Sequence, residues 1–343
     1  MQIAFVALLV LLLFAKSRPT RWNGLYINKE TTSTINGLFI WLVFVSHFTQ
    51  YLPLSAGNLV GDNLGQLVVV MFLFYSGYGC AVQYLAKGES YLCSFPQKRI
   101  LPTLINFDVA VCAFVAVGFL LGKPMTVRKV LLSYVCWDSV GNSNWYIFVI
   151  MLSYALFWLS AGAIKRKVNV ISGGGQIWQI IMMLLLMFSV VAISRVRPLY
   201  WCDTMMAFGA GAVFGLNRSH VEKFVKKNYL ICFVSVAILF VSVVYIPFVG
   251  QKYWIAHNIK SLAFAAMVVM ATMKISVDSA VLRWSGEHLF PIYIYQRIPM
   301  IVFSTLFPAA FQDAHCWIYF LLSAIISVFI ASIYPHFQVK FAK

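Results

Sequence analysis

One apolar stretch of the chain ends in a histidine. Residues 36–47 read Asn-Gly-Leu-Phe-Ile-Trp-Leu-Val-Phe-Val-Ser-His. In a helix these eleven steps make close to three full turns, so Asn36 and His47 share a face roughly 16 Å apart. An ionisable side chain in so apolar a helix is costly and marks function by default. A neutral imidazole there can take a proton from a hydroxyl or carry an acyl group itself.

Two polar residues follow this histidine by about one helical turn. Gln50 and Tyr51 lie on the same face by helical spacing, and together with Asn36 we expect them to orient His47. A structural histidine that forms hydrogen bonds between helices fits the same residues, and Asn36 fits the N-terminal cap region of its helix. The residues alone leave these alternatives open.

A second candidate feature is the basic pair Lys98–Arg99, just before Pro102. Two adjacent cations at a helix start, beside backbone N–H groups, suit a phosphate group. Anchoring of the helix at the inner membrane face is the alternative.

A third feature combines aromatic and charged residues near residue 200. Arginine and aromatic side chains can together stack on a sugar and form hydrogen bonds with it, whereas interfacial anchoring is the alternative. We therefore predict a sugar-binding set that comprises Arg195, Arg197, Tyr200 and Trp201 beside Asp203, with Trp145 and Asp138 from an earlier segment.

The motifs of soluble enzymes are absent from the sequence. There is no phosphate-binding GxxxxGK[ST] loop, no GxSxG, no HExxH and no CxxC, and the seven cysteines show no metal-ligand spacing. We therefore predict no metal site and no tightly bound cofactor. The chemistry must be built from the faces of helices.

Composition excludes an ordinary soluble protein. Of the 343 residues 62% are hydrophobic and only 10% are charged, whereas soluble domains are nearer a quarter charged. The net charge of +16 does not indicate a nucleic-acid partner, because Lys and Arg lie in short clusters between apolar runs. Anionic lipid or a phosphate-bearing donor is the expected acidic partner.

The elements that position these residues are membrane helices. A span needs about 20 apolar residues, and we predict an all-α, polytopic bundle of about 10 to 11 spans. The spans lie near 2–15, 34–53, 64–86, 99–121, 143–163, 176–194, 203–216, 229–249, 257–275, 287–308 and 315–334. The first and seventh spans are short. We interpret the first as a retained helix and not a signal peptide, because basic residues before it and a cleavage site after it are missing.

Orientation follows from the basic residues, which are enriched in cytoplasmic loops. With the N-terminus outside, most of them fall on inner connections, and the outer ones hold only Lys123, Arg128, Lys129, Arg195, Arg197 and Lys252. The prediction is N-out and C-in, with His47 in the outer half of the membrane. We divide the chain into an extra first helix and basic loop (1–33), a membrane domain (34–335) and a short cytoplasmic tail (336–343).

An ordered set of segments resembles membrane acyltransferase family 3, the integral-membrane sugar O-acyltransferases. Residues 35–47 resemble the family's first helix, which reads Arg or Lys, Gly, an apolar run and His. The other resembling segments are Val69–Tyr78 (Phe-rich, ending Ser-Gly-Tyr), Gln97–Pro102 (basic, ending in Pro), Asn144–Val149 (Trp-Tyr-Ile), Ala207–Gly215 (Phe and Gly) and Ser285–Tyr295 (ending Ile-Tyr-Ile-Tyr).

The resemblance implies about ten helices around a central cavity, in the bacterial plasma membrane. Acetyl-CoA is the implied donor, entering from the cytoplasm, and the implied acceptor is a surface glycan or a lipid-linked oligosaccharide. His47 matches the family's essential histidine, and Lys98 with Arg99 matches the segment proposed to meet the donor. The chain departs from the family at Asn36, where Arg is usual, and at Gln296, where His is frequent.

We therefore expect an O-acyltransferase, of the class that transfers groups other than amino-acyl groups. Membrane lipid and glycan are the expected partners, and nucleic acid is not. The alternatives are a polysaccharide transporter, flippase or polymerase without acyl chemistry, or an inactive relative that acts as a structural or sensing subunit.

Overall fold

The computed structural model describes residues 2–52, 66–165, 174–245, 253–308 and 314–339. Residues 340–343 of the predicted tail, and the basic residues Arg166, Lys167 and Lys252, lie outside them. The described elements, in chain order, are α1 (Gln2–Phe14), β1 (Arg18–Pro19), α2 (Lys29–Thr49), α3 (Leu67–Lys87), α4 (Glu89–Phe95), a π-helical turn (Pro96–Ile100), α5 (Leu101–Leu120), α6 (Val127–Tyr134), α7 (Trp145–Lys165), α8 (Gly174–Ser194), a 3₁₀ turn (Leu199–Trp201), α9 (Met206–Lys227), α10 (Tyr229–Tyr245), α11 (Tyr253–Lys274), β2 (Ile275–Ser276), α12 (Ala280–Glu287), α13 (Leu289–Tyr295), α14 (Arg297–Leu306) and α15 (Cys316–Phe337).

The helices confirm an all-α, polytopic membrane protein. Within the described ranges, 8 helices are long and apolar enough to cross a membrane, or up to 9 if a pair bent by 99°, Leu199–Lys227 with Tyr229–Tyr245, is one span. α1 is apolar but has only 13 residues, about 20 Å of helix. The predicted short first and seventh spans correspond to α1 and to the start of that bent pair. N-out and C-in orientation remains a prediction.

The chain divides into two compact units. Unit 1 comprises Met1–Val68, Pro102–Phe148 and Thr272–Lys343, and unit 2 comprises Val69–Leu101 and Val149–Ala271. The domain boundaries predicted after residues 33 and 335 remain predictions.

In unit 1, α2 and α12 cross at very close range. A side chain at Gly37 would overlap the carbonyl group of Leu282, and one at Gly286 would overlap the carbonyl group of Ser33. Small residues at helix crossings allow this approach, and van der Waals packing is the main force between helices in lipid. The crossing holds the helix that carries His47 against the segment that precedes α13.

Buried aromatic rings fix the other side of α2. Phe44 and Phe48 are fully buried, and their ring centroids lie 5.4 Å and 5.1 Å from that of Phe320 on α15. The indole N–H of Trp41 donates a 2.9 Å hydrogen bond to the hydroxyl of Ser285. α2 is therefore held on two sides over the three turns before His47.

The start of α2 differs from the prediction. The side chain of Asn28 accepts a hydrogen bond from the backbone N–H of Thr31, which makes it the N-cap of a helix that begins at Lys29. Asn36 therefore lies inside the helix, and its interpretation as a cap is wrong. Apolar content locates the buried part of a helix, but here the first turn is polar.

In unit 2, α3 and α9 make a similar close crossing. A side chain at Gly77 would overlap the carbonyl group of Phe208, and one at Gly211 would overlap that of Phe74. Nearby, the indole N–H of Trp178 donates to the hydroxyl of Ser160 at 3.1 Å. These contacts order the helices that carry the predicted donor-binding and sugar-binding residues.

Candidate active site

His47 lies two residues before the end of α2 and is only 8% exposed. Its Nδ1 atom is buried and has no hydrogen-bond partner among the described residues. Buried polar atoms nearly always have a partner, and an exception requires an explanation. A nitrogen left without a partner is available to a substrate.

One buried tyrosine of unit 1 lies beside this imidazole, and a second packs against the first. The ring centroid of Tyr293 on α13 is 6.1 Å from that of His47, and Tyr146 lies 5.1 Å from Tyr293. Both tyrosines are less than 9% exposed. The rings form an apolar wall beside His47, and their hydroxyl groups give that wall polar tips.

Arg297 begins α14, just after the helix that carries Tyr293, and its side chain reaches the end of α2. Arg297 donates from Nη2 to the amide oxygen of Gln50 at 2.6 Å and from Nε to the hydroxyl of Tyr51 at 3.0 Å. Its guanidinium also lies 5.4 Å from the centre of the Tyr51 ring. Its charge is close enough to interact electrostatically with His47. The predicted partners Gln50 and Tyr51 thus lie near the histidine but are bonded to Arg297.

Gln296, which stands where the family often has histidine, is fully buried at the break between α13 and α14. Its amide N–H donates to the carbonyl oxygen of Tyr293 at 3.2 Å. It therefore supports the backbone beside the site.

Asn36 is half-buried on α2, three turns before His47. Its Oδ1 atom is buried and accepts no hydrogen bond from the described residues. The two residues thus share one helix, as predicted, and each has a buried polar atom without a partner.

A tightly bonded loop leads into Tyr146. The amide of Asn144 donates to the carbonyl oxygen of Cys136 at 3.0 Å, and Cys136 has a left-handed φ of 61°. Burial raises the pKa of the Cys136 thiol to about 12, so the thiol stays protonated near neutral pH.

Two predicted sugar-binding residues lie in this loop or directly after it. Asp138 accepts a 2.7 Å hydrogen bond from the N–H of Ser139. Trp145 packs beside Tyr146, with ring centroids 6.3 Å apart. Asp138 therefore has a visible role in ordering this loop.

The predicted donor-binding pair belongs to unit 2. Lys98 and Arg99 lie on the π-helical turn and both residues are exposed. Tyr91 and Tyr154 lie close enough to Arg99 to interact with it electrostatically. Single π-helical turns occur frequently at functional sites, and this one presents two cations side by side.

The predicted sugar-binding residues near position 200 also belong to unit 2. The guanidinium of Arg197 lies 4.7 Å from the centre of the Trp201 ring, and Trp201 is only 3% exposed. Arg195 and Tyr200 are exposed. Trp201 therefore contributes a buried anchor for Arg197, while Arg195 and Tyr200 are the members that offer open surface.

A buried polar cluster lies directly after these residues. The carboxylate of Asp203 is 3.7 Å from Nδ1 of His257, and its charge interacts with that of Lys260. Ser261 donates to the backbone carbonyl of Asp203 at 3.0 Å, and Asn258 donates to that of Cys202 at 3.1 Å. The cluster ties α11 to the chain before α9.

Three residues near His47 were not predicted from the sequence as site residues: Arg297, Tyr293 and Tyr146. A signal for Arg297 was present, because an arginine inside a predicted span is itself a functional indication. Tyr146 and Tyr293 lie in two of the segments that resemble the family, but aromatic residues at helical spacing are more often packing residues, so neither was predicted as a site residue. Within the described residues, no three His, Cys, Asp or Glu side chains come together to hold a metal ion.

A family comparison covers nearly the whole of this arrangement. Residues 35–334 match the model of a family described as an acyltransferase domain. No curated protein and no solved structure was found to match the chain. The match includes His47, Lys98, Arg99 and Arg297, and it favours acyl transfer over the transporter, flippase or polymerase alternative. The chain is therefore a membrane acyltransferase and belongs to membrane acyltransferase family 3.

Proposed function

We propose that the chain is an O-acetyltransferase of the bacterial plasma membrane. It transfers the acetyl group of cytoplasmic acetyl-CoA to a hydroxyl group of a surface polysaccharide or its lipid-linked precursor. The observation that carries this proposal is the enclosed imidazole of His47, whose Nδ1 has no partner among the described residues, in a chain of this family.

The reaction assigned to His47 is proton transfer or acyl transfer. In direct transfer, the sugar oxygen attacks the thioester carbon as its proton passes to the imidazole. The carbon–sulfur bond then breaks, and the departing thiolate takes up the proton. In a two-step form the imidazole nitrogen attacks the thioester carbon, and the thiolate leaves as the carbon–sulfur bond breaks. The sugar oxygen then attacks the acetyl carbon, the carbon–nitrogen bond breaks, and the proton of the hydroxyl group passes to the thiolate. Both forms need an imidazole nitrogen without a fixed partner.

The remaining residues are assigned to the two substrates. Lys98 and Arg99 would meet the phosphates of the donor, since adjacent cations suit that group. Asn36, whose buried oxygen lacks a partner among the described residues, would accept a hydrogen bond from an N–H of the donor. In unit 2 the acceptor sugar would contact Arg195, Tyr200 and Arg197, which Trp201 holds in place. Trp145 and Asp138 are the sugar contacts proposed for unit 1.

A glycan analysis tests the proposal. Surface glycan is compared by mass spectrometry between wild-type cells, deletion cells, and deletion cells that express the wild-type protein, His47→Ala or His288→Ala. We expect repeat units lighter by one acetyl group after deletion, restored by the wild type and by His288→Ala, and not by His47→Ala. His288 is a matched control because its ring stacks on Trp284 and contacts the carbonyl oxygen of that residue at 2.9 Å.

The two parts of the proposal fail separately. Unchanged acylation in the deletion cells would contradict the proposed reaction. Full restoration by His47→Ala, at normal protein levels, would leave the reaction standing and remove His47 from it.

A further inference from the structure

Arg297 is a cation with only neutral partners. Its two hydrogen bonds go to an amide oxygen and a phenol oxygen. Three carboxylates among the described residues, those of Glu222, Asp203 and Asp278, face basic groups other than Arg297. Arg297 lies within a candidate membrane span, Leu289–Leu306, where an ionisable side chain is expected to face a charged partner or a water-filled cavity.

The two neutral partners hold the guanidinium at one edge. A guanidinium has five N–H donors in a rigid plane. Tyr51 and Gln50 occupy the edge formed by Nε and Nη2, so the edge formed by Nη1 and Nη2 stays available. That edge matches the two oxygens of a carboxylate or phosphate, which arginine binds with two parallel hydrogen bonds.

The position of this edge connects it with the reaction centre. The charge of Arg297 interacts with both His47 and Tyr293. Gln50 and Tyr51 follow His47 within about one turn of α2, and Arg297 follows Tyr293 within about one turn of α13. An anion bound at Arg297 would therefore lie beside the reacting groups.

We propose that Arg297, steadied by Gln50 and Tyr51, binds an anionic carboxylate or phosphate group of a substrate during acyl transfer at His47. This rests on the proposed function and adds a substrate class to it. The anion is a carboxylate of the acceptor glycan or a phosphate of the donor. In either case Arg297 selects a charged substrate through binding.

The experiment measures acetyl transfer by the purified full-length protein in lipid nanodiscs. The acceptor is glycan from deletion cells, either unmodified or with its carboxyl groups chemically reduced to alcohols. The donor is acetyl-CoA or S-acetylpantetheine, which lacks the nucleotide phosphates. KM and kcat are determined for each combination with the wild type, Arg297→Gln and Arg297→Lys.

The expected result is a charge-dependent rise in KM. Loss of a charge-assisted contact should raise KM roughly 10- to 100-fold for Arg297→Gln, with a smaller change in kcat. If the acceptor supplies the anion, the rise disappears with the reduced glycan. If the donor supplies it, the rise disappears with S-acetylpantetheine. Arg297→Lys should recover part of the loss, because lysine keeps the charge but not the planar fork.

Two further variants distinguish a loss of anion binding from a loss of folding. Arg283→Gln is the matched control in unit 1, since Arg283 already faces Asp278 at 3.5 Å, and we expect unchanged kinetics. Gln50→Glu keeps Arg297 in place but gives it an internal counter-ion, so it should raise the same KM that Arg297→Gln raises.

Some outcomes would overturn the inference. If the KM values of Arg297→Gln match the wild type, Arg297 ties α14 to α2 or contacts lipid headgroups only. A loss of activity that is equal for charged and uncharged substrates would also contradict an anion site. If the wild-type protein transfers acetyl to neither acceptor, the proposed function fails instead. The anion site is then tested by whether the unmodified glycan raises the unfolding temperature of the wild type but not of Arg297→Gln.

Discussion

Among the described residues, the buried His47 and the half-buried His257 stand in different surroundings. His257 of unit 2 faces the carboxylate of Asp203, in a cluster whose hydrogen bonds join two segments of the chain. His47 of unit 1 has an arginine nearby, and its Nδ1 has no partner among the described residues. Both resemble parts of known catalytic sites, because a histidine beside an aspartate also occurs in catalytic triads. What separates them is the role of the neighbours. The neighbours of His257 include a carboxylate and join two segments of the chain, whereas the neighbours of His47 are an arginine and an aromatic ring.

The largest expected effect comes from replacing each histidine with glutamine. His47→Gln should lower acetyl transfer per folded molecule at least about 100-fold, since a general base contributes that much or more. His257→Gln should change it only a few-fold but lower the unfolding temperature. Transfer is measured in membrane vesicles, and the amount of folded protein by size-exclusion chromatography of a fluorescent fusion. Comparable activity losses in the two variants, at equal folded protein, would contradict the assignment of the reaction to His47 alone.

Removal of the Asp203 carboxylate tests whether the cluster around His257 stabilises the fold. Asp203→Ala removes the buried carboxylate that interacts with Lys260 and faces His257, and it should cost about 3 kcal/mol of stability, the lower end for breaking a buried charge pair, because Lys260 is only half-buried. The measurement is the temperature at which the detergent-solubilised protein unfolds. Asp138→Ala is the control, since Asp138 accepts a single loop bond. A stable Asp203→Ala with impaired transfer would give the cluster a role in the reaction.

A smaller effect is expected from removing the side-chain hydrogen bonds that hold α11 and α2, the helices of His257 and His47. Asn258→Ala removes bonds to the carbonyl oxygens of Cys202 and Trp254 and to the N–H of Met206. Ser285→Ala removes the acceptor of the Trp41 indole. We expect costs of about 2 kcal/mol and about 1 kcal/mol, because more buried groups are left without partners in the first variant. The same unfolding assay measures both, and a larger cost for Ser285→Ala would reverse the order of the two supports.

Local sequence patterns were sufficient to predict the helix of His47 and the family. The apolar run, the spacing of Asn36 from His47 and the order of the resembling segments are all readable along the chain. Asn28 could also have been predicted as the N-cap of α2, since an asparagine just before Lys29 and Glu30 is a typical helix start.

The surroundings of His47 could not be predicted in the same way. Tyr51 and Arg297 are 246 residues apart in sequence, and no helical period relates them. Gln50 and Tyr51 were expected to orient His47 because they follow it by one turn. In the structure they bond Arg297, since α2 ends at Thr49 and the chain beyond it meets α14. Tertiary packing therefore determined these contacts.

The smallest effect concerns Asn36, which the sequence places where the family usually has a charge. Its buried oxygen carries no charge, so Asn36→Ala should remove one hydrogen bond to the donor, worth about 1 kcal/mol. The KM for the donor should therefore rise about fivefold, with kcat unchanged. Thr34→Ala is a matched control on the same helix, because the Thr34 hydroxyl already donates to the carbonyl oxygen of Glu30 at 2.9 Å. KM and kcat are measured with acetyl-CoA in nanodiscs. A fall in kcat with KM unchanged would instead mean that Asn36 stabilises the transition state through the bound donor, since it lies roughly 16 Å from His47. That result would extend the catalytic role of α2 from His47 back to its polar first half, whereas a rise in KM alone would limit Asn36 to binding the donor.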